Sequence, residues 1–169
     1  MHDLLTLVSY NDIIKVSRSN HMDYYIGESA DNQIGIGEGA IPYITDSRQE
    51  AINNTLFYTT RSTSRNMQFA LMSVPVNTET GLDVHYNSDQ FFYIEQGEAF
   101  IFMGTCYECI NIQHRVFEGY SIIVPAGVWH NVVNIGSLDL KMYSMYAPAM
   151  HSYNAVFRTK EEWFDHYEF

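Results

Sequence analysis

The sequence predicts an all-β protein, a sandwich or barrel of short strands, on three observations. Aromatic residues make up 15% of the 169 residues, and aromatic side chains favour strands over helices. From residue 55 onward, short apolar runs alternate with turn residues at regular spacing, as they do in antiparallel barrels. Residues 119–134 read Gly-x5-Pro-x-Gly-x2-His-x3-Asn, in which a tight turn follows a short buried strand.

The predicted strands begin after residue 55 and are bounded by turn residues. Gln96-Gly97 joins two of them in a hairpin, and residues 104–120 are predicted to form a long connection. This connection holds both cysteines, Cys106 and Cys109, which are interpreted as loop thiols or, alternatively, as a surface metal or redox pair. The predicted strands are 56–60, 67–74, 81–85, 90–95, 98–103, 121–124, 131–134 and 138–146.

Three segments are expected along the chain: an arm over residues 1–50 that packs on the barrel, the barrel over 51–150, and a C-terminal segment over 151–169. Residues 4–16 are rich in apolar side chains. Residues 35–40 superficially match a dinucleotide-binding pattern, but no strand precedes them and Pro42 follows, so a loop is favoured. Thr159-Lys160-Glu161-Glu162 predicts a capped helix through about residue 168, with Trp163 and Phe164 packed on the barrel.

The charge and the apolar pattern argue against several classes of partner. A formal net charge of −11 disfavours nucleic acid, which requires clustered Lys and Arg, and also disfavours anionic membranes. Apolar runs stay well short of the roughly 20 residues that span a bilayer. The first residues lack the features of a secretory signal, so a cytoplasmic location and a small-molecule partner are expected.

The segment 119–134 matches, at every fixed position, the second signature motif of the cupin superfamily, which the chain therefore resembles. The first motif is usually written Gly-x5-His-x-His-x3,4-Glu-x6-Gly. Aligned on Gly97, the chain retains His85 as the second histidine of that motif. The other three positions hold Asn77 for the leading Gly, Asp83 for the first His and Gln90 for the Glu.

The resemblance extends over residues 55–148 and is to the small single-domain bacterial cupins often labelled mannose-6-phosphate-isomerase-like. It implies a double-stranded β-helix, that is, a jelly-roll-like barrel, in a homodimer with one divalent metal ion in its pocket. The implied ligands are Asp83, His85, Gln90 and His130. Two His and one carboxylate with open positions suit Fe(II), with Mn, Zn, Ni and Cu as alternatives.

Strand alternation predicts which side chains surround this site. Phe92 and Met142 are expected to point inward and contact a ligand, and Tyr146 is the candidate acid, base or orienting group. Lys141 is expected on the outside of the barrel. His114 and His151 fall in connections and are expected to be solvated.

Basic residues are scarce near the predicted site, since only Arg115 and Lys141 occur between residues 80 and 146. A phosphosugar or dicarboxylate pocket normally supplies an Arg or Lys clamp, so a neutral or weakly anionic ligand is expected. The preferred function is a metal-dependent enzyme acting on a small metabolite, of isomerase, epimerase or oxygenase type. The alternatives are a non-catalytic cupin that binds a small molecule or sugar, and a metal-free structural barrel.

Overall fold

The computed structural model describes residues 42–166, and these form ten strands and two short helices. The helices are α1 (Ser47–Asn53) and α2 (Lys160–His166). The strands are β1 (Tyr58–Thr63), β2 (Gln68–Val74), β3 (Asp83–Val84), β4 (Asp89–Gln96), β5 (Glu98–Gly104), β6 (Ile110–Phe117), β7 (Ser121–Val124), β8 (Trp129–Asn134), β9 (Leu140–Ala147) and β10 (Val156–Phe157).

The described strands form two antiparallel sheets that face each other across one apolar core. The larger sheet has the order β10-β1-β2-β9-β4-β7, and the smaller has the order β3-β8-β5-β6. Side chains alternate between the core and the outer face, as strand geometry requires. The predicted all-β barrel is therefore confirmed. Its largest fully buried side chains include Tyr58, Phe57, Phe92, Ile94, Ile101, Leu140, Met142 and Tyr146.

The eight predicted strands are all present, with ends that differ by a few residues, but two strands were missed. Strand β6 occupies part of the predicted connection and pairs along its length with β5. Val116 is the one buried residue of its eight, so its sequence lacks the apolar alternation that would have indicated a strand. The two-residue strand β10 is too short to give a periodic signal.

A turn before β3 explains one departure from the first motif. Asn77 stands where the motif has glycine, and its φ is 59°. Left-handed backbone is readily adopted by glycine, and asparagine is among the few other residues that tolerate it. The substitution therefore preserves the backbone path that leads into β3.

Helix α1 lies against the outer face of the larger sheet, where it contacts β2, β4 and β9. Lys141 is only 7% exposed. Alternation correctly placed it on the outer face, but the end of α1 covers it there. Its Nζ donates hydrogen bonds to the Asn54 carbonyl oxygen at 2.6 Å and to Ser73 Oγ at 2.7 Å.

Of the predicted arm, residues 1–41 lie outside the described residues, and the predicted boundary at residue 50 falls within α1. At the other end, Glu162 N donates to Thr159 Oγ1 at 3.3 Å, as the capping pattern predicted. Trp163 of α2 is buried, whereas Phe164 is partly exposed with its ring against Gly81. Between residues 42 and 166, no helix has the length and apolarity needed to cross a membrane.

Candidate functional site

A small cavity opens at one end of the barrel, between the two sheets. The side chains of all four predicted ligands border it, brought together from β3, the turn after β3, β4 and β8. The cavity has a volume of about 20 Å³, which is enough room for about one water molecule. The lining residues are Met72, Thr80, Gly81, Asp83, His85, Gln90, Phe92, His130, Tyr146 and Trp163.

His130 lies on β8, where its cross-strand partners are Asp83 of β3 and Met103 of β5. Its Nδ1 is 3.1 Å from the carbonyl oxygen of Val128, which fixes the ring when that nitrogen carries the proton. Burial, and secondly the nearby His85, lower the pKa of His130 to about 4. The ring is therefore neutral near pH 7, with Nε2 left as an electron-pair donor.

His85 is buried in the turn after β3, with its ring centroid 5.1 Å from that of His130. Burial lowers the pKa of His85, although the charge of Asp83 opposes this effect. Its Nε2 is 3.8 Å from Asp83 Oδ2, and its buried Nδ1 has no hydrogen-bond partner. His85 thus brings a neutral imidazole with an unused nitrogen to the cavity.

Gln90 lies on β4, and its amide group is held in one orientation. Its Nε2 donates hydrogen bonds to Ser144 Oγ at 3.0 Å and to Tyr146 Oη at 2.9 Å. These two bonds use both N–H groups of the amide. Its Oε1 is buried and has no hydrogen-bond partner, so an acceptor oxygen is left unsatisfied beside the two histidines.

Asp83 occupies the position that the family's first histidine would hold. One carboxylate oxygen, Oδ1, accepts a hydrogen bond from the backbone N–H of Val84 at 2.7 Å. The side chain is 23% exposed, more than the other three predicted ligands. Asp83 is therefore the most solvent-accessible of the four predicted ligands.

Of the predicted ligand contacts, Phe92 borders the cavity, with its ring centroid 6.0 Å from that of His130. Tyr146 also borders it, next to Gln90. Met142 is fully buried in the core and is not among the residues that line the cavity.

Sequence reasoning missed the contribution of Trp163 to the cavity wall, because the capping pattern located α2 but not the surface that it covers. The expectation that His151 is solvated was also wrong. His151 is 8% exposed, and its ring centroid lies 4.7 Å from that of Tyr146 and 5.9 Å from that of His85. Burial, followed by the charge of His85, lowers the pKa of His151 to about 3. The position of His114 on an exposed part of β6 agrees with its expected solvation.

The two cysteines lie in the connection between β5 and β6, which places them away from the cavity lining. Cys106 and Cys109 are joined in a disulfide, and the Cys109 N–H donates to the Cys106 carbonyl oxygen at 3.0 Å. The preferred interpretation from the sequence, two loop thiols, was therefore wrong, whereas the redox alternative is compatible with a bonded pair and stays a prediction. A spacing of three residues does not by itself indicate whether the sulfur atoms meet.

The four predicted ligands resemble the family's metal site in the types of donor atom that they offer, but less in how closely their side chains are clustered. Within residues 42–166, no three His, Cys, Asp or Glu side chains are grouped so that they could hold a metal ion. Asp83, His85 and His130 all border the cavity but do not form such a group, and the fourth predicted donor, the amide of Gln90, is of another type. Because His85 Nδ1 and Gln90 Oε1 are buried polar atoms without a partner, the chemistry of the cavity fits a divalent transition metal.

Comparisons with known proteins agree with this architecture. The family model described as a cupin domain matches residues 70–146. The uncharacterized protein YrkC of Bacillus subtilis is 39% identical over 124 residues, which cover 73% of this chain and 67% of YrkC.

Solved structures extend the likeness to three dimensions. The structure of BH2720 from Bacillus halodurans is 36% identical with a TM-score of 0.74, over 76% of this chain and 97% of that one. A Klebsiella pneumoniae protein with a double-stranded β-helix domain is 18% identical, with a TM-score of 0.51 over 63% of this chain and 88% of its own; this likeness concerns the fold alone. The fold is the double-stranded β-helix, and the chain belongs to the cupin family.

Proposed function

We propose that this chain is a metal-binding cupin and a metal-dependent enzyme that acts on a small metabolite, by isomerase, epimerase or oxygenase chemistry. The observation that carries the proposal is the unsatisfied Gln90 Oε1 beside His85, whose Nδ1 is also buried without a partner. Buried polar groups are seldom left unpaired, and at a functional site such a group indicates a missing ion or ligand.

His85, His130, Gln90 and Asp83 would hold the metal ion, which would supply a positive charge that polarises a bound oxygen atom. The hydrogen bond to the Val128 carbonyl orients His130, as the supporting contacts of ligating histidines commonly do. Ser144 and Tyr146 orient Gln90 through its two N–H groups. We assign proton transfer or substrate orientation to Tyr146 Oη, which lies at the cavity wall.

The wall of the cavity favours a compact ligand of little charge. Among the described residues that line it, none is Lys or Arg, and Asp83 is the one carboxylate residue. Phe92 and Trp163 provide apolar walls on which a small carbon skeleton could pack. An anionic substrate would find no guanidinium clamp there, so a neutral or weakly anionic metabolite is the substrate class we propose.

A second candidate function is a cupin that binds a small molecule or sugar without turnover. It is favoured by Gln90, because an amide in place of the family's glutamate removes one negative charge that would hold a hard divalent cation.

Metal content of the purified protein tests the proposal. We would measure it by elemental mass spectrometry on protein without a histidine tag, after supplying Fe, Mn, Zn and Ni. The proposal predicts near-stoichiometric metal in the wild type and in His114→Ala, whose exposed histidine lies on β6. The double variant His85→Ala/His130→Ala should be folded and empty. Wild-type protein that stays empty, or a double variant that keeps its metal, would contradict the proposal.

Charge restoration at residue 90 provides a second test. Gln90→Glu supplies the missing carboxylate, so we expect it to tighten Mn²⁺ binding by about tenfold or more in calorimetric titrations, equivalent to about 1.4 kcal/mol. An unchanged Mn²⁺ affinity would show that residue 90 is not a ligand. Turnover in a metabolite screen would distinguish the enzyme from the binding protein, whose ligands would raise the melting temperature without being converted.

A further inference from the structure

The outer face of the larger sheet carries a continuous apolar surface. Four residues form a row of direct cross-strand partners on β2, β9, β4 and β7: Phe69 pairs with Met145, Met145 with Phe91, and Phe91 with Ile123. Each belongs to the set that alternation directs away from the core. The row therefore crosses four neighbouring strands without interruption by a polar residue.

A second row lies beside the first. Tyr143 and Tyr93 are cross-strand partners with stacked rings 5.3 Å apart, and the ring of Phe69 lies 5.5 Å from that of Tyr143. We call the six residues Phe69, Phe91, Tyr93, Ile123, Tyr143 and Met145 the outer aromatic face.

The outer aromatic face is only partly covered by the described part of the chain. Ile123 is 68% exposed, and the other five residues are half-buried. Helix α1 covers the neighbouring end of the sheet, around Lys141 and Ser73. A contiguous apolar surface of this kind commonly marks a docking site.

The chain reaches this face where its described part begins. The ring of Tyr43 lies 6.1 Å from that of Phe69, at the β2 side of the face. Its hydroxyl donates to the Glu50 carboxylate at 2.8 Å, and Glu50 in turn accepts two hydrogen bonds from Arg61. An anchored tyrosine therefore stands at the edge of the face, close to where the described part of the chain begins.

The sequence before residue 42 contains a segment of matching chemistry. Of the thirteen residues 4–16, eight are apolar or aromatic: Leu4, Leu5, Leu7, Val8, Tyr10, Ile13, Ile14 and Val16. Residues 17–41 link this segment to Tyr43 and could span up to about 80 Å when extended. The face spans four strands, about 15 Å. The linker is therefore long enough for the segment to reach any part of the face.

We propose that residues 4–16 dock on the outer aromatic face of the same chain. The tether gives the segment an effective concentration in the millimolar range, which favours this contact over one with a separate molecule. Tyr43 on Phe69 is the first contact of a path that continues toward Phe91 and Ile123. This inference is independent of the proposed metal chemistry, because the face lies on the side of the sheet opposite the cavity.

Hydrogen exchange on the full-length protein, read by mass spectrometry, tests the docking. We expect amides in residues 4–16 of the wild type to exchange at least about tenfold more slowly than in an unstructured peptide. Ile123→Asp puts a charge on the face and should abolish that protection. The matched control is Ile112→Asp, which charges a 50% exposed isoleucine on β6 of the other sheet and should preserve the protection.

A second variant changes the docking segment instead of the sheet, so its result does not depend on how a sheet substitution affects folding. Leu7→Asp/Ile14→Asp changes only the docking segment, and it should raise the binding of an apolar fluorescent dye to the protein severalfold. Free exchange of residues 4–16 in the wild type, or equal exchange in Ile123→Asp and Ile112→Asp, would overturn the proposal. The protection of residues 4–16 could instead disappear on dilution, at concentrations where light scattering shows dissociation. That result would assign the face to a second copy of the chain and would also overturn the proposal.

Discussion

Gln90 and Tyr146 are direct cross-strand partners on β4 and β9, and Gln90 Nε2 donates a hydrogen bond to Tyr146 Oη at 2.9 Å. The register of β4 against β9 therefore determines that the Gln90 amide uses its N–H groups and leaves its oxygen, Oε1, without a partner in the cavity. A one-residue slip of β4 against β9 would turn Gln90 to the outer face while Tyr146 stayed in the cavity. The candidate site thus depends on the same backbone pairing that builds the barrel.

Tyr146→Phe tests the importance of this hydrogen bond. The substitution leaves one buried N–H of Gln90 without its acceptor, so we expect the free energy of unfolding to fall by about 1–3 kcal/mol. Denaturant titration measures the change. Tyr143→Phe is the control, because Tyr143 lies on the same strand but on the outer, half-buried face, and it should change stability by less than about 0.5 kcal/mol. Equal losses in the two variants would contradict the prediction.

Gly81→Ala tests how closely Phe164 of α2 packs on Gly81, a residue of the cavity wall. A Cβ at Gly81 would lie 2.3 Å from Phe164 Cζ, and the φ of Gly81 is +93°. Gly119 has nearly the same φ, +91°, but a Cβ added there would meet no atom within 4 Å. Both variants should lose about 1–3 kcal/mol from backbone strain, and Gly81→Ala about 1 kcal/mol more from the contact with Phe164.

The double variant Gly81→Ala/Phe164→Ala separates the contact from the strain. In the same denaturant titrations, Gly81→Ala should lower the free energy of unfolding more than Gly119→Ala does. Removal of the Phe164 ring should eliminate this difference, once the effect of Phe164→Ala alone has been subtracted. If the excess persists without the ring, Phe164 does not pack on Gly81 as described.

The barrel and the positions around the cavity could be predicted from the sequence because their signals are local. The turn and strand of residues 119–134 place His130, and alternation from Gln90 correctly directs Phe92 and Ile94 inward. Asn77 could be aligned with the motif's glycine from spacing alone, and its positive φ accounts for the exchange.

The features that were missed depend on contacts between distant parts of the chain. His151 is buried because its segment folds against Tyr58 and Trp163, which precede and follow it by many residues. Lys141 is covered by α1, almost ninety residues earlier. Nothing in the sequence around either residue records these partners, so periodicity could place Lys141 outside the barrel but not beneath a helix, and the position of His151 in a connection suggested solvation.

Lys141→Met tests the buried lysine beneath α1. The side chain length is kept, but the ammonium group and its hydrogen bonds to Ser73 Oγ and the Asn54 carbonyl are lost. We expect the free energy of unfolding to fall by about 2–4 kcal/mol, since both acceptors remain buried. Lys160→Met is the matched control: its Nζ contacts Glu79 at 3.1 Å in a more exposed pair, which should contribute less than about 1 kcal/mol. A smaller effect at Lys141 than at Lys160 would refute the prediction.

Stability at acid pH should depend on Glu50, the residue that anchors Tyr43. Burial raises the pKa of Glu50, but hydrogen bonds from Arg61 and Tyr43 outweigh it and hold the pKa below the usual 4.5. The unfolded chain therefore binds the proton more readily than the folded protein, and the stabilisation is complete above pH 4.5 and lost as the pH falls through the folded pKa. Glu50→Gln should flatten the fall of the denaturation midpoint below pH 4.5, whereas Glu108→Gln, at an exposed turn, should leave the wild-type slope unchanged. Identical slopes in wild type and Glu50→Gln would show that the Tyr43–Glu50–Arg61 contacts do not hold in solution.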